Sequence, residues 1–160
     1  MGVFGDGYRY HVTGLVHDVR GFPTERPDEI TALVSRLHRK INQHFPDIQT
    51  VDFFLADDAE VLVIAYGSVA RSARSAVIEA RERGVKAGLA KLVTLWPFPR
   101  QVLEPFLRRV RAVLVPELNM GQMSREVKRV NQGMTWVETL NRIDGNLITP
   151  KEILARLLKL

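Results

Sequence analysis

Three stretches of this chain carry side chains whose types and spacing invite chemistry. Residues 59–81, AEVLVIAYGSVARSARSAVIEAR, run from an apolar strand through Gly67-Ser68 into a helix, which is how phosphate-binding loops are built. A dinucleotide fingerprint needs three glycines for close backbone approach and an acid about 20 residues on for the ribose. Here Gly67 stands alone, and Ala87, Gly88 and Leu89 occupy the place of the acid. The Gly-Lys-Ser/Thr of a Walker loop is absent. A nucleophile elbow would have glycine two residues either side of Ser68, where Tyr66 and Ala70 stand. The turn therefore reads as scaffold: Gly67 permits the tight turn, Ser68 caps the helix, and Ala73, Ala76 and Ala80 let that helix lie close on a sheet.

Asp57-Asp58 suggests the magnesium site of a phosphoryl-accepting receiver domain, but the pair precedes the strand Val61–Tyr66, at the opposite end from where that chemistry needs it. His38 and His44 are six apart on one helix, about 240° around it, and so cannot share a metal. His11 and His17 lie in an amino-terminal arm with no third ligand. The third stretch, VPELNMGQM at 115–123, is the most informative. A strand ends near Val115 or Pro116, and Glu117, Asn119 and Gln122 then present polar groups beside the positive end of a helix starting near Gly121. Two readings stand side by side: contact with another subunit or a buried ligand, or local capping.

The elements that must hold these groups follow from pattern. The chain has 160 residues, 46% of them hydrophobic and 26% charged, which suits one compact domain with an arm and excludes a disordered chain. No apolar run is long enough to span a bilayer, and Met1 to Tyr10 has Gly and polar residues in place of the apolar core of a secretory leader, so a cytoplasmic location is expected. Cysteine is absent, which removes disulfides, thiolate nucleophiles, zinc-thiolate sites and iron–sulfur ligation by this chain. The net charge of +5 is scattered over helices, as in Arg36, Arg39 and Lys40 or Arg108, Arg109 and Arg111, which reads as a solvated surface and not as a nucleic-acid footprint.

Residues 1–26 show no sustained period and read as an extended arm, leaving 27–160 as the folded domain. Helical spacing of Ile30, Leu33, Val34, Leu37, Ile41 and Phe45 predicts an amphipathic helix from Pro27. Strand and helix signals then alternate: strands at Val51–Leu55 and Val61–Tyr66, a helix at Ser68–Arg83, and a strand at Val85–Leu95. A helix follows at Pro99–Val110, kinked or restarted at Pro105, then a strand at Ala112–Val115 and a helix at Gln122–Asn131. The strand Thr135–Leu140 precedes a last helix capped by Thr149 and Pro150, with Ile153, Leu154, Leu157 and Leu158 facing inward. The strands are too apolar to have a wet face, so they predict a mainly parallel sheet with helices on both sides, an open α/β sandwich of Rossmann-like character. The loops at Gly67-Ser68, Trp96-Pro97-Phe98, Glu117–Gly121 and Asn141–Asn146 should then share the carboxyl edge, where such sheets bind ligands.

The stretches GDGYRYHVTGLVHD, RGFPT, AYGSVARSA, LWPFP, VPELNMGQ and NRIDGNLITPKEIL resemble, in this order, the carboxyl-terminal part of the alpha subunit of 2-oxoacid:ferredoxin oxidoreductases, most closely the 2-oxoglutarate type. The resemblance covers almost the whole chain. It implies a fold of the transketolase carboxyl-terminal-domain type: a three-layer α/β/α sandwich on a mostly parallel five-stranded sheet with one antiparallel edge strand, for which Val51–Leu55 is the candidate. It implies that the full complex oxidatively decarboxylates a 2-oxoacid to an acyl-coenzyme A on thiamine diphosphate and magnesium, and passes electrons through an iron–sulfur cluster to ferredoxin.

By the same resemblance this chain lacks the family's earlier domains, holds no catalytic, cofactor-binding or metal residue, and is inactive alone. Its expected partners are the beta subunit and a second alpha subunit, with ferredoxin and coenzyme A reached through the complex, and neither nucleic acid nor membrane. Glu117, Asn119, Gly121 and Gln122 become the leading subunit-interface candidates, and Trp96 and Phe98 the second. An independent small-ligand or nucleotide-binding module using the loop crevice is the alternative.

Overall fold

The computed structural model describes residues 3–8 and 12–160; His11 lies outside them. The chain divides into two compact units, 1–45 and 46–160. The first unit holds helix α1 (Pro27–Asn42) as well as the residues before it. The arm is not featureless. Asp18 accepts backbone N–H bonds from Arg20 and Phe22, closing a turn beneath a bridge between His17 and Pro23. Helix α1 forms with proline in its first turn, Asp28 and Glu29 near its amino end and Arg39 and Lys40 in its last turn, all favourable to the helix dipole. None of its residues is fully buried, and Val34 and Leu37 of the expected apolar stripe are exposed.

The second unit begins in the short helix α2 (Phe45–Ile48) and continues as β1 (Val51–Phe54), β2 (Val61–Tyr66), α3 (Val69–Glu82), β3 (Ala87–Leu92), α4 (Arg100–Leu107), β4 (Ala112–Glu117), α5 (Gln122–Asn131), β5 (Trp136–Asn141) and α6 (Pro150–Leu157). The strands form one sheet in the order β1-β3-β2-β4-β5. β1 runs antiparallel to β3, and every other pairing is parallel, which is the sheet expected above with the odd strand where it was expected.

The middle of this sheet is dry on both faces because β2 is apolar and buried from Val61 through Ala65, and β4 from Ala112 through Pro116. Val61, Val63 and Ala65 of β2 pack with α3 and α6 on one face, while Leu62 and Ile64 pack with α4 and α5 on the other. Ala73, Ala76 and Ala80 of α3 are fully buried, so small side chains do let this helix sit close to the strands.

Local differences from expectation have simple causes. The strand predicted over Val85–Leu95 is shorter, because Val85 lies in the turn after α3 and Thr94 is drawn to the α2 end, its hydroxyl donating to the Ile48 carbonyl. Helix α4 runs through Pro105 as one element; the proline has no N–H to give the Gln101 carbonyl, but the helix ends two residues later at Leu107, so one bond near its end is all that is lost. Leu158 follows the last turn of α6 and is 43% exposed, whereas Ile153, Leu154 and Leu157 are buried.

Helix α6 starts with a complete capping box: Glu152 N donates to Thr149 Oγ1, and the Glu152 carboxylate accepts from Thr149 N at 2.9 Å. Arg142 Nη2 reaches the same carboxylate at 2.6 Å. Thr149's backbone N–H first, then its hydroxyl, then Arg142, hold the Glu152 carboxyl down to about 2, from the usual 4.5. The folded value lies below the unfolded one, so this contribution is present above the ordinary carboxylate range and is lost as pH falls towards 2. The thermal midpoint is expected to drop between about pH 5 and pH 2, and to drop less in Thr149→Ala; parallel slopes for the two proteins in a pH series of melting curves would remove Glu152 as a source of the acid sensitivity.

Candidate functional site

Four parallel strands bring the four loops named above to a common carboxyl edge. Chain direction from β2 leads through α3 to β3 on one side, and from β4 through α5 to β5 on the other, so the topological switch point lies between β2 and β4. The β2–β4 ladder stops at Val63–Leu114, whereas the β2–β3 and β4–β5 ladders continue to Tyr66–Leu92 and Glu117–Asn141. This is where an open α/β sheet leaves a ligand crevice.

The chain fills that crevice itself. Asn119 Nδ2 donates to the Tyr66 hydroxyl at 2.6 Å, joining the end of β2 to the loop after β4. Burial raises the Tyr66 phenol above its ordinary value, and the charge of Glu117 pushes in the same direction, against the Asn119 hydrogen bond. Glu117 is fully buried, and its two carboxylate oxygens accept from Met123 N at 2.9 Å and Ser124 N at 3.0 Å. Asn119 Oδ1 accepts from Gly121 N and Gln122 N, while Ser124 Oγ donates to Gly121 O. Asn141 Nδ2 ties the Asn119 carbonyl to the end of β5 at 3.1 Å. Four backbone donors that begin α5 thus find acceptors within one cap. Gly121 has φ +92°, and a Cβ there would meet Ser124 Oγ at 3.0 Å.

Of the predicted residues, Glu117, Asn119, Gly121 and Gln122 are brought together, and their contacts are the local capping contacts that formed one of the two readings. Gln122 keeps an exposed side chain. Phe98 is buried in the core on the α4–α5 face, and Trp96, across a cis bond to Pro97, is 68% exposed. Tyr66, Ser124 and Asn141 were missed as members of the cap. For Tyr66 and Asn141 the signal is tertiary, since they lie 53 and 22 residues from Asn119; Ser124 is three residues from Gly121, and its contact is local.

The post-strand loops of this edge also carry exposed apolar side chains: Met120 is 73% exposed, Ile143 70% and Leu147 65%, and Val93 and Leu118 are exposed as well. Along 117–120 the usual pattern is inverted: Glu117 and Asn119 turn in, while Leu118 and Met120 turn out. This inversion was legible in VPELNMGQM as an apolar pair that the polar reading passed over.

The Gly67 turn closes on itself. Gly67 has φ +55°, Ala70 N donates to Gly67 O, and Arg71 N donates to Ser68 O. Ser68 stands at the cap position in helical geometry without a side-chain capping bond, in contrast to the cap expected of it. Asp58 pairs with Arg81 between β1 and β2, at the amino edge. Among the described residues no group of three His, Cys, Asp or Glu is placed to hold a metal ion, and no helix is long and apolar enough to cross a membrane. With no cysteine in the chain, the residues present offer no thiolate to an iron–sulfur cluster, and at the Gly67 turn the amides of Ala70 and Arg71 are taken by the carbonyls of Gly67 and Ser68.

Over residues 59–153 the chain matches the family model described as pyruvate:ferredoxin oxidoreductase core domain II. It is 45% identical over 159 residues to the 2-oxoglutarate synthase subunit KorA of Methanothermobacter marburgensis, covering 99% of this chain and 42% of that protein. To the ketoisovalerate oxidoreductase subunit VorB of the same organism it is 36% identical, over 65% of this chain and 29% of that one. The chain thus spans less than half the length of these relatives.

Among solved structures, it superposes on a 2-oxoglutarate:ferredoxin oxidoreductase from Magnetococcus marinus with a TM-score of 0.77 at 24% identity, over 99% of this chain and 28% of that one. On a split-gene transketolase the TM-score is 0.58 at 19% identity, over 68% of this chain and 40% of that one, which supports the transketolase-like fold. On the matched segment, which runs from before β2 into α6, this chain belongs to the pyruvate:ferredoxin oxidoreductase core domain II family.

Proposed function

We propose that this chain is a structural and assembly domain of the alpha subunit of a cytoplasmic, thiamine-diphosphate-dependent 2-oxoacid:ferredoxin oxidoreductase, with 2-oxoglutarate as the 2-oxoacid. The relatives' names supply the reaction class, and the KorA proteins cover nearly the whole chain. Thiamine diphosphate, magnesium and the iron–sulfur cluster act elsewhere in the complex, which forms the acyl-coenzyme A and reduces ferredoxin. The partners are the beta subunit and a second alpha subunit.

One observation carries the assembly reading: the switch-point crevice is bridged by Tyr66, Asn119 and Glu117, while Met120, Ile143, Leu147 and Trp96 stand exposed in the loops of the same sheet edge. Large apolar side chains exposed on one edge cost solvation in water and favour a protein partner.

The test compares thiamine-dependent reduction of a low-potential dye by 2-oxoglutarate for two preparations, each mixed with a beta subunit: this chain alone, and this chain joined to the upstream domains of a KorA relative. Activity is expected only in the joined protein, and Met120→Asp there should reduce co-purification with the beta subunit or with a second alpha subunit by at least about tenfold, as for a buried interface anchor. Turnover by the short chain would mean that it holds the cofactor after all, and full assembly of Met120→Asp would place the interface elsewhere.

A further inference from the structure

Edge strand β1 and helix α3 enclose a pocket of about 340 Å³, separate from the filled crevice. Its floor is apolar, formed by Phe54, Leu89 and Ala70. Its wall is basic: Arg71 and Arg74 from one face of α3, and Lys91 from β3. Asp52 is the one carboxylate in the lining and lies 3.0 Å from Lys91, so three cations face one anion and the lining carries a net +2.

The four arginines of and next to α3 behave differently. Arg81 is tied to Asp58, and Arg83 to Glu79. Arg71 and Arg74, the two at the pocket, make no ion pair with any described residue, although carboxylates are plentiful on this surface. Arg74 instead sits over the Phe54 ring, its Cζ 4.4 Å from the centroid. That holds one guanidinium against an aromatic floor and leaves N–H donors of its rim open.

We propose that this pocket binds an organic phosphate with a flat ring system, of nucleotide size. The phosphate, which carries about −1.5 to −2 as a monoester, matches the net charge of the lining and takes the forked donors of Arg71 with Lys91 beside it. The ring system lies in the apolar part, against the Arg74–Phe54 stack and Leu89. Two unpaired guanidiniums, three residues apart, above an apolar floor thus select a ligand that is anionic at one end and planar at the other.

Calorimetric titration of the 160-residue chain with ADP, and separately with pyrophosphate and with adenosine, tests this. ADP is expected to bind at one site, at least about tenfold tighter than either fragment, and Arg71→Ala and Arg74→Ala are each expected to weaken it by about tenfold. Both side chains are exposed and unpaired, so unfolding curves should show these variants folded; Arg125→Ala, on α5, serves as the charge control and should leave ADP binding unchanged. Absence of ADP binding at millimolar concentration overturns the proposal. So does binding no tighter than that of pyrophosphate, or equal loss in the Arg125 control, since either would reduce the site to a diffuse positive surface.

Discussion

Glu117→Ala is expected to destabilise the second unit by roughly 3–5 kcal/mol, the combined effect of stranding two buried amide donors and losing a carboxylate from a helix amino terminus. The Glu117 side chain is wholly out of water, and both of its oxygens are engaged by Met123 N and Ser124 N. Alanine leaves those donors without water or protein to receive them, because Met123 and Ser124 are themselves buried. Gln keeps one acceptor and presents an NH2 group to the other amide, so Glu117→Gln should lose about half as much. The measurement is the urea midpoint with its slope. A loss under about 1 kcal/mol for alanine would show that the cap is dispensable, and would return Glu117 to the list of residues held in reserve for a partner subunit.

Gly88→Ala is expected to cost roughly 2–4 kcal/mol, although alanine is the better residue in a strand by about 0.5–1 kcal/mol. Gly88 lies in β3 opposite Leu62 of β2. A Cβ built on it falls 2.7 Å from the Leu55 carbonyl oxygen, 2.8 Å from Ala56 Cα and 2.9 Å from Ala59 Cβ. The first two are backbone, and that backbone is clamped: Arg81 donates to the Leu55 carbonyl and Arg109 to the Ala56 carbonyl. Leu55 also sits at φ +50°, so the loop has little freedom to retreat. The sign of the effect decides the matter. A neutral or stabilising Gly88→Ala in thermal and urea unfolding would mean that the 55–59 loop moves aside freely, and the double variant Gly88→Ala with Ala59→Gly should recover only part of the loss, because it relieves one contact of three.

These two residues mark the limit of what the chain's pattern discloses. In the sequence Gly88 was noticed only as one of the residues standing where a ribose-binding acid would be, and Glu117 as a polar group that either a partner or a local cap could claim. Gly88's role is not local, and the local cap of Glu117 is tied to a distant strand. Gly88 answers to a loop some thirty residues earlier, and Glu117 shares its cap with Asn119, which reaches back to Tyr66.

The arginines teach the same lesson. Arg81 and Arg109 look like two more charges on solvated helices, yet their guanidinium groups hold the carbonyls of the turn between β1 and β2. Charge scatter along a helix cannot show this, because the acceptors are main-chain atoms with no signature of their own.

What the amino-acid order determined alone is the architecture of the second unit. Apolar runs with no wet face require helices on both sides of the strands, and the alternation of strand and helix makes most pairings parallel. The start of α6 was equally plain, because Thr149 and Pro150 announce a cap and a first turn in two successive residues, which Glu152 completes as a capping box. Short-range physics of this kind depends on neighbours in the chain and survives translation into pattern.

The tertiary structure decided the rest. It placed the switch point between β2 and β4, filled it with the chain's own tyrosine, asparagine and glutamate, and turned Leu118 and Met120 outward beside it. It also left β1 with its Phe54 face open beside two unpaired arginines of α3. Whether a polar side chain meets solvent, a partner or its own backbone depends on which distant segments the sheet order makes adjacent, and strand order is set by the packing of all five strands together and by no single stretch of them.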